Sequence, residues 1–209
     1  MKIYKIPEAT VMRLSVYSRY LFQLLDEDVK TVSSDEVARG VGVSSAQVRK
    51  DLAYFGEFGT RGVGYNVEDL YSQLMKILGL NQRWNIIIVG AGKLGSAFAL
   101  YQGFIDRGFS IKAILDIDEN RIGQELDGVE IEPLELLNNR VKEHKVDIGV
   151  ITVPAVAAQD VTDKLVAAGI KAILNFSPSI LKVPADVVLR NVDLSVNLEV
   201  LSFNLAFNN

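Results

Sequence analysis

Three features of the sequence predict a mixed α/β chain in two parts, helical in front and built on a parallel sheet behind. The first is a short apolar run, Ile86-Ile87-Ile88-Val89, that leads straight into Gly90-Ala91-Gly92-Lys93-Leu94-Gly95. The second is another apolar run, Ile111 to Leu115, that closes on Asp116, 21 residues beyond Gly95. The third is a set of amphipathic helical patterns before residue 80, two of them short, capped by serines and joined through a glycine. The first two features together describe a Rossmann unit, and the third describes a winged helix-turn-helix. The expected division is 1–80 for the helical domain and 81–192 for the Rossmann domain, followed by an apolar C-terminal segment, 193–209, whose early alternation suits a strand and whose later spacing suits a helix.

Bulk properties set the outer limits. A hydrophobic fraction of 49% supports a packed core. There are no cysteines, which excludes disulfides, thiolate metal sites and a cysteine nucleophile. No apolar run has the length of a bilayer span, and the N-terminus is polar, so a cytoplasmic protein is expected, with neither membrane nor metal partner. The net charge is −4, but residues 1–64 hold 9 basic against 8 acidic side chains, while 65–209 hold 13 against 18. Nucleic-acid contact is therefore permitted at the front and disfavoured elsewhere.

The first helix spans about Pro7 to Asp26, with Val11, Leu14, Tyr17, Leu21 and Leu24 on its apolar face. Arg13 and Arg19 lie off that face, as solvated or ion-paired residues. Ser33 and Glu36 form a capping box for a short helix that Gly42 ends. Ser44 and Gln47 suggest a second box, opening a third helix from Ser45 to Tyr54 with Val48 and Leu52 turned inward. In a helix-turn-helix this third element enters the major groove. Ser44, Ser45, Ala46 and Gln47 are small or polar enough to reach base edges there. Arg49 and Lys50 reach guanine edges or phosphates, and Tyr54 ends the helix on the same side. Residues 55–65 hold four glycines, and Arg61 falls near the tip of the β-hairpin they suggest, a wing for the minor groove. An ordinary hairpin on a protein-interaction module remains the alternative. Asn66 caps a fourth helix that runs to Leu78, and Leu80 to Arg83 form a linker.

In the second part, Gly90 makes the tight turn, Gly92 leaves room for a pyrophosphate, and Gly95 lets the following helix pack on the strand. Ala91, Lys93 and Leu94 complete the phosphate-binding turn at the start of that helix. Asp116 stands where NAD-binding folds place the acid for the ribose hydroxyls; Asp118 either assists it or is solvated. No arginine directly follows Asp116, so NADH/NAD+ is expected rather than the 2′-phosphorylated forms. Another nucleotide-containing ligand, such as coenzyme A, is the alternative. A helix follows over 134–143. The next buried strand, Asp147 to Val153, brings Thr152 and Val153 to the ligand edge beside an adenine. After a helix over 156–168, the strand from Lys171 to Leu174 delivers Asn175 and Phe176, which either meet a nicotinamide or belong to an ordinary loop. The segment from Asp193 to Phe207 is too apolar to lie free; it packs on its own domain or on a partner subunit.

The residues for hydride chemistry are missing. The one histidine, His144, sits among Lys142, Glu143 and Lys145; Tyr101, expected on the first Rossmann helix, and Lys93, inside the glycine turn, have no substrate domain around them. Binding without turnover is the simpler expectation, so no catalytic residue is assigned. An oxidoreductase with a helical appendage is the competing class.

Ser44-Ser45-Ala46-Gln47-Val48-Arg49-Lys50-Asp51-Leu52, Tyr54-Phe55-Gly56-Glu57-Phe58-Gly59, Arg61-Gly62-Val63-Gly64-Tyr65 and Val89 through Gly95 together resemble the Rex family of redox-sensing transcriptional repressors. The resemblance covers the whole chain. It implies a homodimer with a winged helix, a Rossmann core and a domain-swapped C-terminal helix. It also implies binding to an inverted-repeat operator, and release of that DNA when NADH binds. By the same resemblance, Asp193 interacts with Tyr101 or Arg13 depending on the bound nucleotide.

Overall fold

A computed structural model describes residues 6–60 and 62–207 and divides the chain into two compact units, 1–82 and 83–209. The helical part and the parallel-sheet part expected from the sequence each form one of these units.

The first unit opens with α1 (Glu8–Asp26) and a two-residue strand β1 (Thr31–Val32). Then come α2 (Ser34–Val41), α3 (Ser45–Ala53), β2 (Tyr65–Asn66) and α4 (Val67–Ile77). Their core joins Leu14, Tyr17 and Leu21 of α1 to Val37, Val48, Leu52, Leu70 and Leu74. Val11 does not belong to it, being 42% exposed; the apolar stripe of α1 begins one turn later. Pro7 stands at the N-cap rather than inside the first turn.

The serine caps differ from each other. Ser33 and Glu36 form the full reciprocal box, and Gly42 closes α2 in the left-handed conformation. Ser44 accepts from the Gln47 backbone N–H, but the Gln47 side chain does not return to the cap. It runs down the helix and donates from Nε2 to Asp51 Oδ1 at 2.9 Å. The expected second capping box is therefore only half made, because a buried carboxylate outcompetes a cap N–H for the amide.

Among the described residues of the stretch 55–64 there is no two-stranded hairpin. A single bridge joins Thr60 to Gly64, and the small sheet of this unit is β1 against β2. Glycines give the strands no side chains to pair across the turn, so the wing is a loop. Arg61 lies outside the described residues.

The second unit is a seven-stranded sheet. In chain order its strands are β3 (Trp84–Val89), β4 (Phe109–Asp116), β5 (Glu125–Leu126), β6 (Val129–Pro133), β7 (Ile148–Ile151), β8 (Ala172–Asn175) and β9 (Val188–Asn191). Their spatial order is β5-β6-β4-β3-β7-β8-β9, all parallel except the β5–β6 pair. The helices are α5 (Lys93–Ala99), α6 (Leu137–Glu143), α7 (Ala155–Ala167) and α8 (Leu194–Phe207). Along β3 the side chains alternate: Ile87 and Val89 pack with α6 and α7, while Ile86 and Ile88 pack with Ala99 on the other face. The chain winds outward from β3 to one edge, then returns to β7 and winds to the other. β3 and β7 thus flank the switch point, where open α/β sheets hold ligands. The helix expected over 134–143 begins as a 3-10 turn, and β6 and the edge strands β5 and β9 add strands that the apolar pattern did not signal.

Asp51 holds α3 on α1. Its carboxylate is fully buried and accepts from four side chains. Arg13 donates from Nε and Nη2 at 2.6 and 2.7 Å, Tyr17 at 2.9 Å, Thr10 at 3.0 Å, and Gln47 as above. Burial pushes the Asp51 carboxyl up, but the hydrogen bonds outweigh it and hold the group below its ordinary range. Burial and the Asp51 carboxylate both push the Tyr17 hydroxyl up.

These shifts set a pH window for the first unit. Asp51 is depressed, so its contribution is present above about pH 4 and disappears as pH falls through its lowered folded value. Tyr17 is raised, so its contribution is present below about pH 10 and disappears as pH rises through its folded value. Asp51→Ala leaves Arg13 unpaired and is expected to destabilise this unit by about 3 kcal/mol, and Tyr17→Phe by about 1 kcal/mol. Urea unfolding followed by far-UV circular dichroism checks both. Fluorescence of Trp84, the sole tryptophan, reports the second unit and stays unchanged.

Candidate nucleotide and nucleic-acid sites

The turn from β3 to α5 is built by close approach. A Cβ on Gly95 would lie 1.9 Å from the Gly90 carbonyl oxygen, so α5 reaches β3 only with glycine there. Gly90 has φ +103°, and a Cβ on it would press on the Thr152 backbone at 2.9 Å. Thr152 locks the same spot from β7, donating its hydroxyl to the Gly90 carbonyl at 2.6 Å. Val153 lines the other side of Gly90. Gly92 is different: it is the N-cap of α5, and a Cβ there would meet nothing within 4 Å. Open space over a helix start whose backbone N–H groups are free is what a pyrophosphate requires. Lys93 and Leu94 are exposed on the first turn beside it.

Asp116 ends β4 next to this turn. One carboxylate oxygen accepts from the Ala91 N–H at 2.5 Å, the other from the N–H groups of Ile117 and Asp118 at 2.7 and 3.0 Å. The acid is thereby fixed and half-buried at the strand tip, with acceptor capacity left for hydroxyl groups. Asp118 turns to its own loop. Asn120 donates to it and lowers its pKa, and Arg121 pairs with it at 3.3 Å. Arg121 also donates to the Ala91 carbonyl at 2.7 Å, a contact over the turn that sequence spacing did not reveal.

At the end of β8, Asn175 follows the loop alternative. Asn175 is fully buried, and its amide donates to the Ser177 carbonyl and to Asn191 and accepts from the Ser177 N–H. It shapes the loop and offers no surface to a nicotinamide. Phe176 is half-buried and begins a row of rings: Phe176 to Phe98 at 5.5 Å, Phe98 to Phe104 at 4.4 Å, Phe104 to Tyr101 at 4.8 Å. Tyr101 is not on the first Rossmann helix. That helix stops at Ala99, and Tyr101 caps a 3-10 turn with its ring exposed.

On α3, Ala46, Arg49 and Lys50 are exposed, as are Ser44 before the helix and Tyr54 at its end. Ser45 and Gln47 are half-buried. Arg49 donates to Ser34 Oγ at 2.8 Å, which ties the start of α2 to α3. Arg13 faces Asp51 rather than solvent, and Asp193 caps the start of α8 by accepting from Ser195. The role of Asp51 was hidden in plain view: an acid between two core residues, Val48 and Leu52, is the signal that finds it. Among the described residues there is no cluster able to hold a metal ion and no helix long and apolar enough to cross a membrane.

These glycines make separable predictions. Gly92→Ala is expected to melt like the wild type yet lose NADH binding by more than about tenfold, because its Cβ enters only the open space. Gly95→Ala is expected to lower the melting temperature itself. Differential scanning calorimetry with and without NADH distinguishes the two.

Two family models match in part: one described as "CoA binding domain" over residues 81–179, the other as "Putative DNA-binding protein N-terminus" over residues 5–53. The redox-sensing transcriptional repressor Rex of Syntrophomonas wolfei is 78% identical over 209 residues, covering all of both chains. Its counterpart from Carboxydothermus hydrogenoformans is 58% identical over 205 residues, 98% of this chain and 99% of the other. Among solved structures, RSP in complex with beta-NAD+ and operator DNA is 46% identical, with a TM-score of 0.92 over 97% of this chain and 93% of that one. RSP in complex with beta-NADH is 45% identical, with a TM-score of 0.88 over 97% and 95%. Full-length identity at this level, on a chain with this turn and this helix-turn-helix, leads to one assignment: the chain belongs to the Rex family of redox-sensing transcriptional repressors.

Proposed function

We propose that this protein is a redox-sensing repressor that binds operator DNA through α3 and NADH or NAD+ through the turn after β3, and that NADH releases the DNA. The observation that carries the reading is the pairing, on one chain, of an open phosphate turn with a fixed ribose acid and an exposed recognition helix. Gly90, Ala91, Gly92, Lys93, Leu94 and Gly95 would hold the pyrophosphate and Asp116 the adenosine ribose, with Thr152 and Val153 bordering the adenine. Bound there, the nucleotide supplies a nicotinamide whose charge and ring shape change with its oxidation state. Phe176 is the ring placed to feel that difference. The protein acts as a regulator and not as an enzyme.

The C-terminal helix supports a homodimer. None of α8 is buried, although Leu194, Val196, Leu198, Val200, Leu201, Phe203, Leu205 and Phe207 all lie on it. An apolar helix of this kind needs a second chain to cover it. Exchange of α8 between two copies meets that need, and a two-fold dimer matches an inverted-repeat operator. In that dimer Asp193, at the start of α8, is the residue that would meet Tyr101 or Arg13 of the other copy. NADH releases DNA only to the extent that it prefers the free dimer to the bound one. Arg61, in the wing, would reach the minor groove.

A regulator answering to coenzyme A is the second reading, favoured by the description of the matched family model. Asp116 opposes it, because a ribose 3′-phosphate would bring negative charge against that carboxylate.

Fluorescence anisotropy on a labelled inverted-repeat duplex tests the proposal. NADH is expected to strip the protein from the duplex, NAD+ to do so poorly, and NADPH and coenzyme A to have at least about tenfold less effect than NADH. Release by coenzyme A alone, or indifference to every nucleotide, overturns it. Leu201→Asp with Phe203→Asp is expected to leave a monomer by sedimentation velocity and to abolish binding to the duplex.

A further inference from the structure

Asp51 does more than fasten α3 to α1. Three of its donors, Thr10, Arg13 and Tyr17, come from α1; the fourth, Gln47, is on α3 one turn before it. A carboxylate can only accept, so it dictates which end of the Gln47 amide faces it. Nε2 points to Asp51, and Oε1 points away. Gln47 lies in the first turn of α3, the part of a recognition helix that faces base edges. Its other choice, returning to the N-cap as Glu36 does in α2, is not taken.

An amide held this way shows an acceptor, Oε1, beside its one remaining N–H. Adenine shows the complement in the major groove, an N6 donor beside the N7 acceptor. We propose that Asp51 is a positioning residue for DNA readout, orienting Gln47 to recognise an adenine in each half-site. This rests on the reading of the chain as an operator-binding repressor. Without the carboxylate, Gln47 is free to turn either amide edge outward and to sample its rotamers, and its preference among bases weakens.

Binding-site selection from a randomised duplex library, followed by anisotropy on single-substituted duplexes, tests this with the full-length protein. The wild type is expected to select an A·T pair whose replacement weakens binding by about tenfold or more. Gln47→Ala and Asp51→Leu, which removes the acceptor at similar volume, are each expected to lose that discrimination, and the double variant to lose nothing further. Tyr17→Phe also removes a bond to Asp51 but leaves that of Gln47, so it keeps the discrimination; a purely structural Asp51 would make it behave like Asp51→Leu. Discrimination that survives Gln47→Ala at every A·T pair overturns the proposal, as does an Asp51→Leu loss that persists undiminished in the Gln47→Ala background. If Asp51→Leu does not fold, the Gln47 side-chain amide signals in the wild-type DNA complex decide. A protected Nε2 proton supports the proposal, and exchange-averaged protons overturn it. A wild type that enriches no sequence overturns the repressor reading instead.

Discussion

The approach of Gly95 to Gly90 is the constraint on which the nucleotide unit depends. Only glycine lets the first turn of α5 stand this close to the end of β3. From that approach follow the position of Gly92 as a bare N-cap and the open space above it. Thr152 closes the turn from the neighbouring strand, and the Ala91 N–H reaches across to Asp116. The glycine turn and Asp116 are therefore parts of one hydrogen-bonded object. Its location is set by topology, because β3 and β7 flank the switch point of the sheet.

The helical unit has its own version of the same economy. One buried carboxylate, Asp51, satisfies donors from two helices and fixes the amide of Gln47 in the first turn of α3. A buried charge with fewer partners would be a liability; with four it specifies a single arrangement of α1 and α3. Arg13 belongs to that cluster, so any carboxylate that approaches it from another chain competes with Asp51 for the same guanidinium. That competition gives a physical form to the nucleotide-dependent role that the family resemblance implies for Asp193.

Much of this was legible in the sequence, and the reasons are local. Glycine spacing, the acid that ends β4, the serine caps and the helical periodicities all act within one or two turns, so short windows reveal them. Unit by unit, the helices and the inner strands stand where those windows place them. What escaped depended on partners distant in sequence. Gln47 reads as a capping residue until Asp51 is known to be buried, and Asn175 stays open between ligand contact and loop residue until the loop of Ser177 and Asn191 is seen around it. Tyr101 fell outside its expected helix because α5 ends after seven residues and a 3-10 turn continues the path. The edge strands β5 and β9 carry too few apolar residues to announce themselves, and the glycine-rich wing has too few side chains to pair as a hairpin.

The central claim is that nucleotide and DNA sites are coupled through a dimer, and coupling is reciprocal. Isothermal titration of NADH into the free protein and into the operator-bound protein tests it most directly. The account predicts that DNA weakens NADH binding by the same factor by which NADH weakens DNA binding. Equal NADH affinity with and without operator would show that the two units share a chain without sharing a switch.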